Sequence, residues 1–350
     1  MAKKTLATKY RPIVFDDIVE QATVKTILMQ QLETNTFKNA YLFCGPAGDG
    51  KTTTARIFAN EINKGQGNPI EMDAASNSGV DDVRGIIAQA QTKSLDSEYK
   101  CFIIDECHSI SNTGWQAFLK LIEEPPAKSI FIFCTTDPQK IPKTILSRVQ
   151  RFDFQRISQK GIVDRLDTIL ENERDEEDAH DINAMEYIAK IADGGMRDAI
   201  TLMDKCLAYS RDLTLENVVK ALGTVDYDNM MSLTNAILHK EEKTVISIIE
   251  NIHNAGKDLK TFIRQYINFL LDVNKYAISV DDSYLSIPLT SEIIKWLNNL
   301  SDNDYDIILN LLDCIVKLNA DIKYSQYVKA DVEATIILFI LGGSSRGRAE

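Results

Sequence analysis

No two of the six cysteines in this 350-residue chain are spaced C-x-x-C. Cys44, Cys101, Cys107, Cys134, Cys206 and Cys314 are scattered, which argues against a disulfide framework or a zinc module. Cys44, Cys101 and Cys134 fall in or beside apolar runs, where a reduced thiol behaves as a small hydrophobe. A membrane-length run is missing too: the longest apolar stretch near the C-terminus, Ala334 to Leu341, is far too short to cross a bilayer. Behind the basic start Met1-Ala2-Lys3-Lys4-Thr5 there is no apolar core, so no signal peptide is expected, and the expected location is cytoplasmic, with no membrane partner. Positive charge is also short. Lys and Arg number 39 against 51 Asp and Glu, a net charge of −12. That excludes a general nucleic-acid coat, whose binding is mostly phosphate neutralisation, but leaves room for a small local DNA surface. The acidic run Glu171 to Asp181 reads as a solvated helix end and loop. No internal repeat is present.

What remains is ordinary globular composition, 44% hydrophobic and 26% charged, in a length that suits two or three domains. The decisive stretch is Gly45-Pro46-Ala47-Gly48-Asp49-Gly50-Lys51-Thr52, which fits the phosphate-loop pattern G-x-x-x-x-G-K-[ST]. Ala40 to Cys44 before it reads as a buried strand, and Thr53 to Ala59 after it as a helix. Glycines let the backbone curl so that its N–H groups face a phosphate, and the helix adds its positive end. Lys51 would reach the β- and γ-phosphates, and Thr52 would ligate Mg2+.

Further along, a helix is predicted from Asp16 to Thr34, a strand over Ile70 to Asp73, and a helix from Val80 with acids in its first turn. Cys101-Phe102-Ile103-Ile104-Asp105-Glu106 reads as a strand buried on both faces and ending in two acids. Ligands of parallel sheets sit at that end of the strands. Asp105 would then hold Mg2+ through water, and Glu106 would orient or deprotonate an attacking water; the alternative is an exposed acid pair capping the next helix. Asp105-Glu106-Cys107-His108 also spells a helicase box, but a single phosphate loop argues against two motor domains, and His108 reads as a solvated or hydrogen-bonded loop histidine. An amphipathic helix from Trp115 to Glu124 stops at Pro125-Pro126. A strand over Ser129 to Cys134 ends in Thr135-Thr136, where a hydroxyl either touches a γ-phosphate or closes a turn. Strand–helix alternation through residue 155 predicts a doubly wound parallel sheet. Helical patterns follow over 159–218, broken at Gly194-Gly195, and again over 219–342.

Several signatures now stand in one order: Tyr10-Arg11-Pro12, the phosphate loop, Asp105-Glu106, and Leu121-Ile122-Glu123-Glu124-Pro125-Pro126. Thr135 to Pro142 then leads to Ser147-Arg148, and Gly194-Gly195-Met196-Arg197-Asp198-Ala199 lies beyond. Together they resemble the AAA+ sliding-clamp loader ATPases, nearest the bacterial DNA polymerase III gamma/tau subunits. They are also similar to the small subunits of replication factor C and to phage clamp loaders. The resemblance covers nearly the whole chain and weakens after about residue 225.

It implies an α/β AAA+ domain over 1–158, with a five-stranded parallel sheet and helices on both faces. A helical lid over 159–221, an all-α collar over 222–342 and a flexible tail over 343–350 would follow. ATP and Mg2+ are the implied ligands, held by Gly45 to Thr53, with Tyr10, Arg11 and Pro12 near the adenine. Thr136 is the implied γ-phosphate sensor, and Arg197 the lid's sensor. Arg148 is implied as an arginine finger reaching a neighbouring subunit's ATP, a role that suits a planar, permanently charged guanidinium; the residues alone also allow a surface ion pair. Implied partners are a sliding clamp, primer–template DNA, and other loader subunits in a pentameric ring or spiral. Ser78, Arg84 and Thr113 are the DNA candidates. Ile86 and Ile87 are clamp candidates, with core packing as the equal alternative.

Two departures matter. Gamma/tau subunits carry a four-cysteine zinc module where Asn60 to Pro69 here holds no cysteine, so no zinc is expected. The family's Ser-Arg-Cys reads Ser147-Arg148-Val149, which leaves the charge in place. Polymerase and helicase tethers of the tau type are not expected beyond the collar. The expectation is a clamp-loader ATPase that opens a clamp and places it on primed DNA. Its rivals are another AAA+ DNA machine (a branch-migration motor or helicase loader) and a non-hydrolysing scaffold, which the intact Lys51, Thr52 and Glu106 disfavour.

Overall fold

The computed structural model describes residues 4–94, 96–175, 179–223, 227–278 and 285–342. The expected tail over 343–350, and 176–178 of the acidic run, lie outside them. The chain divides into two compact units, Met1–Val218 and Val219–Glu350.

The first unit opens with a single turn, α1 (Leu6–Lys9), and a longer helix, α2 (Ala22–Thr34). The helix predicted from Asp16 therefore starts six residues late. Glu20 and Gln21 both adopt left-handed backbone, with φ of +57° and +51°, which no α-helix can contain. Their side chains account for it: Gln21 exchanges two hydrogen bonds with the backbone of Gln155 (2.7 and 3.1 Å), and Glu20 accepts from the N–H and hydroxyl of Ser158.

Strand and helix then alternate as β1 (Ala40–Cys44), α3 (Lys51–Ile62), β2 (Ile70–Asp73), α4 (Val80–Ala90), β3 (Lys100–Asp105), α5 (Asn112–Glu123), β4 (Ser129–Thr135), α6 (Lys143–Leu146) and β5 (Gln150–Asp153). All five strands are parallel, in the order β2-β3-β4-β1-β5. Successive side chains of a strand point to opposite faces, and every face here is covered. Leu42, Phe102, Ile104, Phe131 and Phe133 pack with residues of α4 and α5. Tyr41, Phe43, Ile103, Ile130 and Ile132 pack with residues of α2 and α3. Double coverage is why β3 and β4 read as unbroken apolar runs. Crossovers keep the sheet parallel, so all strand C-termini share one edge, with Asp73 beside Asp105 and Cys44 beside Thr135.

Three helices, α7 (Gln159–Glu173), α8 (Ile182–Ile191) and α9 (Met196–Tyr209), pack together after the sheet, and α10 (Leu215–Leu222) spans the division between units. Gly194, at φ +86°, sits against Arg156, whose Cβ would lie 2.7 Å from an added side chain. The chain breaks there because only glycine fits.

The regular elements among the second unit's described residues are all helices: α11 (Tyr227–Leu238), α12 (Glu242–Asn254), α13 (Leu259–Ile278), α14 (Ser291–Asn298), α15 (Asp302–Asp321) and α16 (Val328–Ile340). The long helices α13 and α15 pack on each other around Ile263, Tyr266, Leu270, Ile308, Leu311 and Ile315. No helix among the described residues is long and apolar enough to cross a membrane.

Candidate functional site

β1 leads into the phosphate-loop sequence and α3 leads out of it. Gly48 and Gly50 take φ of +78° and +98°, a curl that glycine adopts without strain and that offers successive backbone N–H groups to one anion beside the N-terminus of α3. Gly48 is also where the first lid-side turn comes closest. Its carbonyl accepts from the N–H of Met196 at 3.0 Å, and an added Cβ would lie 3.0 Å from Cα of Gly195.

Beside the loop, the Thr52 hydroxyl donates to Oδ2 of Asp105 at 2.8 Å. Two oxygens so placed are the hard donors that Mg2+ takes. Among the described residues no group of three or more His, Cys, Asp or Glu is arranged to hold a metal ion. Glu106 follows with its backbone left-handed, φ +46°, and its N–H on Oδ1 of Asp105 at 3.0 Å. Its Oε2 accepts from the Thr136 hydroxyl at 3.2 Å and lies 3.3 Å from Nδ1 of His108. The same ring nitrogen is 3.2 Å from the Thr135 hydroxyl. The histidine is thus hydrogen-bonded, tying Glu106 to the end of β4.

These groups open on one cavity of about 550 Å3, a volume in the range of small-molecule sites. Tyr10, Arg11, Pro12, the loop from Ala47 to Thr53, Asp105, Glu106, Thr136 and Arg197 all line it. Gly45 and Pro46 do not line it; their carbonyls instead accept from Nζ of Lys51 at 2.9 and 2.5 Å. The Lys51 ammonium also pairs with Asp49 at 3.0 Å, both side chains buried. Burial pushes the Asp49 carboxyl above its ordinary range, against the opposing pull of Lys51. The cavity is lined by both signs of charge, with Arg11, Lys51, Arg165 and Arg197 facing Asp105 and Glu106. Half-buried Arg11 donates to the Thr53 hydroxyl at 3.2 Å, and burial, then neighbouring Arg56, lower its pKa, with Arg197 adding to the effect.

Sequence reasoning missed two contributors. Arg165 of α7 lines the cavity and donates to the carbonyl of Tyr10 at 3.1 Å. Glu173, at the end of the same helix, accepts from Tyr10 at 2.8 Å and pairs with Lys9. Ile18, Val19, Ile157 and Ile200 add an apolar wall.

Other candidates lie apart. Arg148 does not line the cavity; it is exposed, pairs with Glu123 at 2.8 Å and donates to the Thr144 carbonyl. Ser78 and Thr113 flank the neighbouring starts of α4 and α5, where the Ser111 N–H reaches the Ser78 carbonyl at 3.5 Å. Arg84 is exposed and pairs with Asp81. Ile86 is 6% exposed within the core beside Val83 and Phe118. Ile87 is half-buried against the same cluster. The buried thiols of Cys107 and Cys134 are driven well above the ordinary thiol range by burial.

Comparison with known families agrees along most of the chain. The model of "DNA polymerase III, delta subunit" matches residues 68–158. That of the "DNA polymerase III clamp loader subunit, ATPase lid domain" matches 161–212, and that of "DNA polymerase III subunits gamma and tau domain III" matches 213–338. The chain is 32% identical to DNA polymerase III subunit tau of Bacillus subtilis over 96% of its own length and 63% of that protein. It is 33% identical to the Escherichia coli subunit tau over 77% of its own length and 45% of that protein. The chain thus spans less than two thirds of each. Among solved structures, the Thermotoga maritima RuvB Holliday junction branch migration motor superposes with a TM-score of 0.52 at 19% identity, covering 83% of this chain and 99% of that one; this is a likeness of fold. With lid and domain III models in register behind an AAA+ sheet, the chain belongs to the clamp-loader subunits of the DNA polymerase III gamma/tau family.

Proposed function

We propose that this chain is an ATPase subunit of a clamp loader, using ATP binding and hydrolysis to open a sliding clamp and set it on primer–template DNA. The observation that carries the reading is the single cavity joining Lys51, Thr52, Asp105, Glu106 and Thr136 to Arg197 on the lid side, while Arg148 stands outside it on the surface. The domains behind this reading are 1–158, 159–221 and 222–342, cytoplasmic and part of a replication assembly.

In the proposed mechanism the loop amides and Lys51 bind the β- and γ-phosphates, and Arg197 draws the lid onto the γ-phosphate. Mg2+ supplies charge neutralisation when bound, at Thr52 and Asp105. Glu106 accepts the proton of the attacking water at its carboxylate, and Thr136 keeps that carboxylate oriented. Tyr10, Arg11 and Pro12 border the adenine. Arg148 leaves Glu123 for the site of an adjacent subunit in a pentameric ring or spiral, where it stabilises the phosphoryl charge. Ser78, Arg84 and Thr113 face DNA, and Ile87 lies on the helix facing the clamp.

A non-hydrolysing scaffold subunit is the second reading, favoured by the match of 68–158 to a delta-subunit model. ATP turnover measured with clamp and with primed against blunt DNA separates the two. Turnover stimulated by clamp plus primed DNA supports the ATPase, and none at all supports the scaffold. Arg148→Ala should cost about two to four kcal/mol of transition-state stabilisation; unchanged stimulated turnover would defeat the shared site.

A further inference from the structure

The phosphate-loop pattern leaves its fifth position open, and this chain fills it with an acid. Asp49 is 1% exposed, and its Oδ1 lies 3.0 Å from Nζ of Lys51, itself 6% exposed. The same oxygen faces the Lys51 N–H at 3.4 Å. Its other oxygen, Oδ2, has no hydrogen-bond partner and rests against Gly45, where an added Cβ would come within 2.2 Å. A lysine ammonium has three donors. Those of Lys51 are shared among Asp49 Oδ1 and the carbonyls of Gly45 and Pro46. Two of these partners are dipoles. The third is an anion of the same sign as a phosphate, in a buried site where charges interact more strongly than in water. Buried polar oxygens are almost always satisfied, so an acid kept here with one oxygen unpaired is not explained by packing.

We propose that Asp49 is an affinity-setting residue: an internal anion that competes with nucleotide phosphates for Lys51 and keeps the site's grip on ATP and ADP weak. The inference rests on reading the cavity as a nucleoside triphosphate site. It follows that removing the charge tightens binding, and that the gain is confined to ligands with a phosphate at the Lys51 position. Adenosine has none and is indifferent.

The test is the affinity of the full chain, with Mg2+, for ATP, ADP and adenosine, with ADP release followed by displacement of a fluorescent analogue. Asp49→Asn keeps the shape and an acceptor for Lys51 while removing the charge; Asp49→Thr is a second replacement in case the amide disturbs the loop. The expected result for both is about tenfold or more tighter ATP and ADP binding, slower ADP release and unchanged adenosine affinity. Unchanged or weaker ATP and ADP binding in variants that melt like the parent would overturn it. Equal tightening of adenosine would overturn it as well, by tracing the effect to general rigidity. If neither the parent nor any variant bound a nucleotide, the triphosphate reading itself would fall, and this inference with it.

Discussion

Among the described residues two carboxylates are fully buried, Asp49 in the first unit and Asp272 in the second. Each pairs with a lysine at 3.0 Å, Lys51 in one case and Lys275 in the other. Beyond that they diverge. Asp272 Oδ2 accepts from the N–H groups of Ser286 and Ile287 at 2.7 and 3.0 Å, pinning the segment that carries buried Leu285 and Ile287 to α13. Lys275 is partly exposed, so this pair keeps contact with water. Asp49 has one oxygen unpaired, and its lysine is as buried as itself. A buried acid whose acceptors are all engaged is holding a fold together. One left half-engaged beside a phosphate-binding lysine is available to ligand chemistry.

The sharpest way to break this comparison is Lys51→Ala. It should abolish ATP turnover and also destabilise the first unit by about 3–5 kcal/mol, because it strands a buried carboxylate without its cation. Removing Asp49 as well should restore most of the stability and none of the turnover. The two tryptophans make the measurement local: Trp115 lies in the first unit and Trp296 in the second. Denaturant unfolding followed in single-tryptophan variants should show the loss at Trp115. If Lys51→Ala unfolds like the parent, Asp49 carries no stranded charge and the contrast fails.

Next in size is Asp272→Ala. Two backbone N–H groups would lose their acceptor, at about 1–3 kcal/mol for each group left unsatisfied. A destabilisation of about 2–4 kcal/mol is expected at Trp296, with nucleotide affinity unchanged. Asp49→Asn should by contrast cost less than Lys51→Ala or Asp272→Ala, since the amide keeps an acceptor for Lys51 and the ammonium retains the Gly45 and Pro46 carbonyls. Equal losses from the two aspartates would mean that both are architectural.

Much of the first unit was legible because its signals are local. A doubly covered strand must be apolar along its length, which exposed β1, β3 and β4. A loop that wraps a phosphate needs glycines at fixed spacing, and the acids at the end of β3 fall where ligands of a parallel sheet sit. Groups set by distant contacts were hidden. β5 is only four residues long with Phe152 alone buried, so its pattern is too weak to read without the neighbouring β1. The turn at Glu20-Gln21 depends on Gln155 and Ser158, more than 130 residues away. Arg165 reaches the cavity, and Glu173 the Tyr10 hydroxyl, only because α7 folds back over Tyr10. Asp49 was in plain view, but a pattern that accepts any residue at its position says nothing about what an acid there does.

The smallest effect sharpens the comparison at the surface, where the second unit caps a helix with the same residue types. Ser301 begins α15 in a reciprocal box: its hydroxyl accepts from the Asp304 N–H at 3.3 Å, and Asp304 accepts from the Ser301 N–H at 2.9 Å and its hydroxyl at 2.7 Å. The backbone N–H of Ser301, and next its hydroxyl, hold the Asp304 carboxyl below the usual carboxylate range. A depressed carboxyl contributes stability above its unfolded value, near pH 4, and that contribution is lost as pH falls through the folded value. Ser301→Ala removes the hydroxyl but leaves the N–H. It should cost about 1 kcal/mol at neutral pH, read at Trp296, and the difference from the parent should shrink as acid protonates Asp304. A difference that stayed constant through acid would assign the cap to the Ser301 hydroxyl alone, and Asp304 would then be an acid without a structural task, unlike Asp272 of α13.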